Sequence, residues 1–128
     1  MAEAIAQMSR FYAAEASAMQ PGDRVLVNVG GRTVGVFALE DSFVAYENLC
    51  PHMGGPVCEG RVMPRVDGIV DEGGRLVAER SNDAKPNLVC PWHGWEFDLR
   101  SGQSHGDHTR SLRAYLVEVE EGKVYVVA

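Results

Sequence analysis

Cys50-Pro51-His52-Met53-Gly54-Gly55 and Cys90-Pro91-Trp92-His93-Gly94-Trp95 each place one thiol and one imidazole in a short turn marked by proline and glycine. Together Cys50, His52, Cys90 and His93 offer four metal donors of two kinds. Soft thiolates beside imidazoles suit zinc, or an iron–sulfur cluster in which two cysteines hold one iron and two histidines the other. A structural zinc site usually takes its donors in like pairs, C-x₂₋₄-C ahead of H-x₃₋₅-H. Here thiol and imidazole alternate along the chain, and one residue between Cys50 and His52 is tighter than a zinc knuckle. Buried cysteine and histidine without metal is the plainest alternative. Two such boxes in a chain of three cysteines and four histidines argue against it.

The boxes C-x-H and C-x-x-H, each with glycine following, resemble those of the Rieske iron–sulfur family. The resemblance extends over roughly Asp23 to Ala128 and is strongest at the boxes. It implies an all-β, Rieske-type fold of three stacked antiparallel sheets, with a cluster-binding subdomain set into a β base. It also implies a [2Fe-2S] cluster held by Cys50, His52, Cys90 and His93. Gly54, Gly55 and Gly94 would let backbone amides approach the sulfides, and Trp92 and Trp95 would shield the centre.

High-potential members of the family carry extra cysteines that form a disulfide beside the cluster. They also place a serine two residues after the second histidine ligand and a tyrosine two beyond it. Here Trp92 follows Pro91, and Trp95 and Phe97 stand at the hydroxyl positions. With no hydroxyl to bond the sulfurs, a potential near the low end of the family is expected, roughly −150 mV. Imidazoles with a ring nitrogen near solvent should make reduction depend on pH.

Among family members, a short chain of this kind is most similar to the ferredoxins of bacterial aromatic-ring oxygenase systems. Such a protein accepts electrons from a flavin-dependent reductase and passes them to a terminal oxygenase, without being an enzyme itself. The alternative is an electron-wiring small subunit of a larger reductase, such as a nitrite reductase. An oxygenase catalytic subunit would need a second domain with a 2-His-1-carboxylate iron site, and none is expected within these 128 residues.

The bulk properties agree with a single globular domain. A net charge of −6 disfavours nucleic acid and anionic membrane surfaces as partners. It suits docking to a basic patch on a redox protein, and equally a merely soluble surface. Cys58 is the only cysteine outside the boxes, so a disulfide would dismantle the metal centre. It reads as a free, packed thiol, with a ligand or redox-switch role as the alternatives. A reducing compartment follows, and with no basic-apolar leader or membrane-length apolar run, a cytoplasmic location is expected.

The elements that deliver the boxes read as strands. Val25, Val27 and Val29 alternate, Gly30-Gly31 turns, Thr33 to Leu39 returns, and Phe43 to Tyr46 leads into the first box. Ahead of them, Ile5, Met8, Phe11 and Tyr12 have helical spacing in an alanine-rich stretch ended by Pro21-Gly22. The expectation is an N-terminal helix over residues 2–19, an extension of residues 1–20 ahead of a domain of residues 21–128. It would cover the domain's own sheet or dock a second chain, including another copy.

Between His52 and Cys90 lie 37 residues, more than a compact member of the family needs. The excess falls at about residues 61–87. It reads as two short strands, Val66 to Val70 and Arg75 to Glu79, around a polar turn, then a polar loop from Ser81 to Pro86. This is either a tolerated surface insertion or an arm that shapes partner docking. After the second box come a strand at Glu96-Phe97-Asp98, a polar loop with His105 and His108, and a hairpin from Ala114 to Val127. The loop histidines read as solvated, with proton carriers or spare ligands as the alternatives.

Overall fold

The structure, a computed structural model, describes residues 8–107 and 109–128. These form the strands β1 (Arg10–Glu15), β2 (Arg24–Val29), β3 (Arg32–Ala38), β4 (Phe43–Glu47), β5 (Arg61–Val70), β6 (Leu76–Val89), β7 (Glu96–Asp98), β8 (Ala114–Glu120) and β9 (Lys123–Val127). One sheet has the order β1-β9-β8-β4-β3-β2, and a second has the order β5-β6-β7. The larger sheet is two three-stranded sheets joined by a short seam, where Ala45 faces Tyr115 and Tyr46 faces Ala114. The expected three antiparallel sheets are therefore present, two of them fused. β1 also runs beside β2, which brings the outer edges of the fused sheet together.

The valine alternation explains this closure. Val29, Val34, Val36, Ala45, Val124 and Val126 are buried together, with Phe11, Ala13, Val25 and Val27 packed against them. One face of every strand of the fused sheet thus contributes to a single apolar interior. β3 and β4 are buried on their other face too. There Phe37 and Tyr46 join Val57, Cys58, Leu88, Phe97, Leu99 and Leu112 in a second core that also contains Cys50 and Cys90. The metal-box subdomain rests on this outer face.

Among the described residues the expected N-terminal helix is not formed. Arg10–Glu15 is a strand paired antiparallel with β9, Phe11 opposite Val126 and Tyr12 opposite Tyr125. Only Ala16–Ala18 makes a single 3₁₀ turn. Alanine-rich composition favours helix only weakly, and an open sheet edge with apolar positions to fill overrides it. Phe11 and Ala13 meet the barrel-like core on one face, a period of two that coexists in this stretch with helical spacing. A helix offered to a second chain is therefore excluded over Arg10–Ala18, and the part of that expectation resting on Ile5 lies outside the described residues.

The stretch between the boxes is one long hairpin. β5 and β6 pair from Arg61 opposite Val89 to Val70 opposite Leu76. The turn is set by Asp71, whose Oδ1 accepts from the amides of Gly73 and Arg75, both at 2.9 Å. Ser81 to Pro86 continues β6 where a loop was expected. The polar run is accommodated by a break in register, because Pro64 faces Pro86 while Arg65 faces Asn82. Among the described residues no helix is long and apolar enough to cross a membrane.

Candidate metal centre

Each box is a loop between strands, and the two loops share one backbone pattern. The Cys50 amide donates to the Gly55 carbonyl at 2.8 Å, and the Gly54 amide donates back to the Cys50 carbonyl at 2.8 Å. In the second loop the Cys90 amide donates to the Trp95 carbonyl at 2.8 Å, and the Gly94 amide to the Cys90 carbonyl at 3.0 Å. Both glycines are left-handed, with φ of 77° and 72°. The histidines sit one step apart within this shared frame, second after the cysteine in one loop and third in the other.

The four predicted donors come together by type. Cys50 and Cys90 are buried side by side. Burial pushes the Cys50 thiol up first, and the neighbouring Cys90 sulfur pushes it the same way, while the amides of His52 and Met53 donate to it and pull it down. The His52 and His93 rings meet edge to face, their centroids 5.1 Å apart and their planes at 85°. His93 is exposed and His52 half-buried, so thiols face inward and imidazoles outward.

Among the described residues no three His, Cys, Asp or Glu side chains converge on one ion position. A buried pair of thiols and a separate outer pair of imidazoles match the ligand chemistry of a two-iron centre with unlike ends. Metal that replaces the thiol protons also removes the penalty of two buried sulfurs in contact. The residues present fit the cluster.

The Gly54 and Gly94 amides, expected beside the sulfides, are bonded to the cysteine carbonyls instead, and the amides that reach the Cys50 sulfur are those of His52 and Met53. A Cβ on Gly55 would lie 2.9 Å from Trp92 Cγ and 3.1 Å from Cys90 Sγ, so glycine alone lets the first loop close on the second. Trp95 stacks flat on His52, with centroids 4.2 Å apart and planes at 15°, and Phe97 lies beneath it. Trp92 covers Gly55 but leaves 57% of its surface exposed. With Met53 and Leu49, exposed at 63% and 51%, it makes an apolar rim around the histidines.

Cys58 is fully buried and apart from the boxes. Its Sγ donates to the Tyr46 carbonyl at 3.3 Å, and burial pushes its pKa up to about 12. This is a packed thiol. His105 hydrogen-bonds Asn87 Oδ1 through Nε2 at 2.8 Å and stays exposed, its amide donating to the Glu96 carbonyl at 3.0 Å. His108 lies outside the described residues.

Several supports had no local signal. Asn48 accepts from the Cys58 amide at 2.9 Å and donates to Glu59 at 3.0 Å, holding the chain after the first box. Arg24, on β2, donates to the Cys58 carbonyl at 2.7 Å and to the Gly60 carbonyl. Tyr46 donates its hydroxyl to the Leu99 carbonyl at 2.7 Å. From a third loop, between β7 and β8, Arg110 donates to the Pro51 carbonyl at 3.1 Å. These contacts span 10 to 59 residues, or more than a motif can encode.

Comparison with known proteins agrees with this geometry. The Rieske [2Fe-2S] domain matches residues 9–116. Ferredoxin CarAc of Metapseudomonas resinovorans is 34% identical over 87% of this chain and 86% of its own. In a solved complex of reduced oxygenase and oxidized ferredoxin in carbazole 1,9a-dioxygenase, the matching chain is 30% identical, with TM-score 0.66 and 91% of each chain covered. A protein assigned as the small subunit of an NADH-dependent nitrite reductase from Mycobacterium tuberculosis shares the fold, with TM-score 0.68 at 24% identity over 94% of this chain and 96% of its own. The chain belongs to the Rieske [2Fe-2S] domain family and is an electron carrier built around a [2Fe-2S] cluster.

Proposed function

We propose that Cys50 and Cys90 hold one iron of the cluster and His52 and His93 the other, and that the chain is the ferredoxin of an oxygenase system. The observation that carries the assignment is the sorting of donors, buried thiol beside thiol and outward imidazole beside imidazole. The cluster supplies a one-electron redox centre. The protein excludes water from its sulfur end through the second core, aims amides at the Cys50 sulfur, and leaves the histidine end at the surface. Electrons enter and leave at the imidazole face, within the rim of Leu49, Met53 and Trp92.

The donor is a flavin-dependent reductase and the acceptor a terminal oxygenase, in the cytoplasm. The 34% identity to ferredoxin CarAc over most of both chains supports this reading. Likeness to the nitrite reductase subunit is one of fold, so it does not favour a fixed wiring role. The arm of residues 61–87, read as an insertion in the cluster-binding part, carries five acids and five bases. Its exposed Val70, Leu76 and Val77 flank the tip, where they suit contact with a partner already seated on the histidine face.

The test is stopped-flow oxidation of the dithionite-reduced protein by the terminal oxygenase of a carbazole 1,9a-dioxygenase system. Transfer of one electron per chain, with recovery of the oxidised visible spectrum, supports the reading. No transfer, together with stoichiometric co-purification with a larger reductase, would establish the wiring subunit in its place.

A further inference from the structure

Arg110 approaches the first box from the third loop. Its Nη1 donates to the carbonyl of Pro51, the residue between Cys50 and His52, at 3.1 Å. Its guanidinium carbon lies 5.7 Å from the Trp95 ring centroid, and Trp95 in turn stacks on His52. The backbone of the same residue shapes the loop. The Ser104 amide donates to the Arg110 carbonyl, and the Arg110 amide donates to the Asp107 carbonyl, both at 3.0 Å. The side chain is 44% exposed and pairs through Nε with Asp107 Oδ2 at 3.4 Å.

Two consequences follow from that placement. A guanidinium hydrogen bond to a ligand-loop carbonyl, with cation–π contact to the ring beside it, holds the third loop against the first. A guanidinium is also charged at every working pH. A fixed cation beside a centre that gains an electron favours the reduced state, and the nearby carboxylate partly cancels it.

We propose that Arg110 is a positioning residue of the electron-transfer centre, which ties Ser104 and Asp107 to the first box and holds the reduction potential up by its charge. The inference rests on the assignment of the cluster to Cys50, His52, Cys90 and His93.

The experiment is redox potentiometry, with electron paramagnetic resonance of the dithionite-reduced full chain, on wild type, R110Q, R110K and D107N. Asparagine at 107 keeps an oxygen for the Thr109 amide, which now donates to Asp107 Oδ1 at 3.0 Å. All four proteins should show the Rieske signal. At a fixed poise near the midpoint, R110Q should lower the ratio of reduced to oxidised protein by about two- to fivefold, the range of a half-exposed charge. R110K should restore most of the loss, and D107N should shift the ratio upward. The R110Q difference should shrink toward 1 M salt, where screening acts within about 3 Å.

Unchanged ratios in R110Q overturn the proposal. So does a shift of the same sign in R110Q and D107N, the mark of a loop that has merely opened, or an R110K loss as large as that of R110Q. A wild-type protein without a Rieske signal overturns the cluster assignment itself, and is told apart by failing before any variant is compared.

Discussion

Gly54 and Gly94 are equivalent residues in two different loops, each donating its amide to the carbonyl of the cysteine four positions earlier while holding a left-handed φ. A Cβ on Gly94 would meet no atom within 4 Å, and one on Gly54 would meet only Leu49 at 3.5 Å. The cost of a side chain is thus conformational. G54A and G94A are each expected to lower stability by about 1–2 kcal/mol, measured by urea unfolding. G94N should cost less than G94A, because asparagine tolerates this region better; equal losses would point to a steric cause.

The donor assignment predicts an all-or-none response to substitution of the inner ligands. C50S and C90S should yield protein without the visible cluster spectrum, while H52N and H93N should abolish or radically alter it. Iron and acid-labile sulfide content check this directly. Two irons and two sulfides per chain, retained in any one of these variants, would remove that residue from the ligand set.

Tyr46 spends its hydroxyl on the Leu99 carbonyl, and Trp95 and Phe97 stand where high-potential members of the family carry hydroxyl residues. The midpoint potential is accordingly expected near −150 mV. A reversible potential above roughly +100 mV would contradict the expectation drawn from Trp95 and Phe97 at these two positions.

Cys58 should be inert in the folded protein. Its thiol is buried and raised to about 12, so a thiol reagent at pH 8 should label it only after unfolding. The same shift acts on stability. Below about pH 9 both folded and unfolded chains keep the proton. Between that value and about 12 only the folded chain does, so this group's contribution to stability falls across the window by up to about 1.4 kcal/mol per pH unit. Against C58A, whose slope lacks this contribution, the wild-type loss should be the steeper.

Gly35 is held to glycine by its neighbour. An added Cβ would lie 2.5 Å from Cys58 Cβ and 2.7 Å from its sulfur. G35A should therefore destabilise by about 1–3 kcal/mol. Adding C58A should not rescue it, since the closest clash is with the Cβ that alanine keeps, whereas C58G should. Thermal unfolding of the three variants distinguishes the outcomes.

What could be read from the residues was local. The valine alternation and Gly30-Gly31 mark β2 and β3, and the boxes carry their donors at fixed short spacings, so both were legible. β1 was not, because Phe11 and Tyr12 fit a helical face as well as a strand, and the choice was made by the edge of β9 more than 100 residues away. The run from Ser81 to Pro86 looks like a loop because it is polar, yet it belongs to β6, which pairs with β5 at Ser81, Asn82 and Pro86 on either side of a break in register. Arg110 carries no motif at all; its contact with Pro51 exists only once the third loop has folded over the first.

The central ribbon of β3 and β4 has no solvent face along much of its length: Val36 and Ala45 look into the valine interior, while Phe37 and Tyr46 look toward the cysteines. A wall shared by two rooms cannot be taken down from one side. Grafting the two loops onto another scaffold would therefore leave behind half of what keeps the sulfurs dry, and heating should melt the whole molecule in a single step.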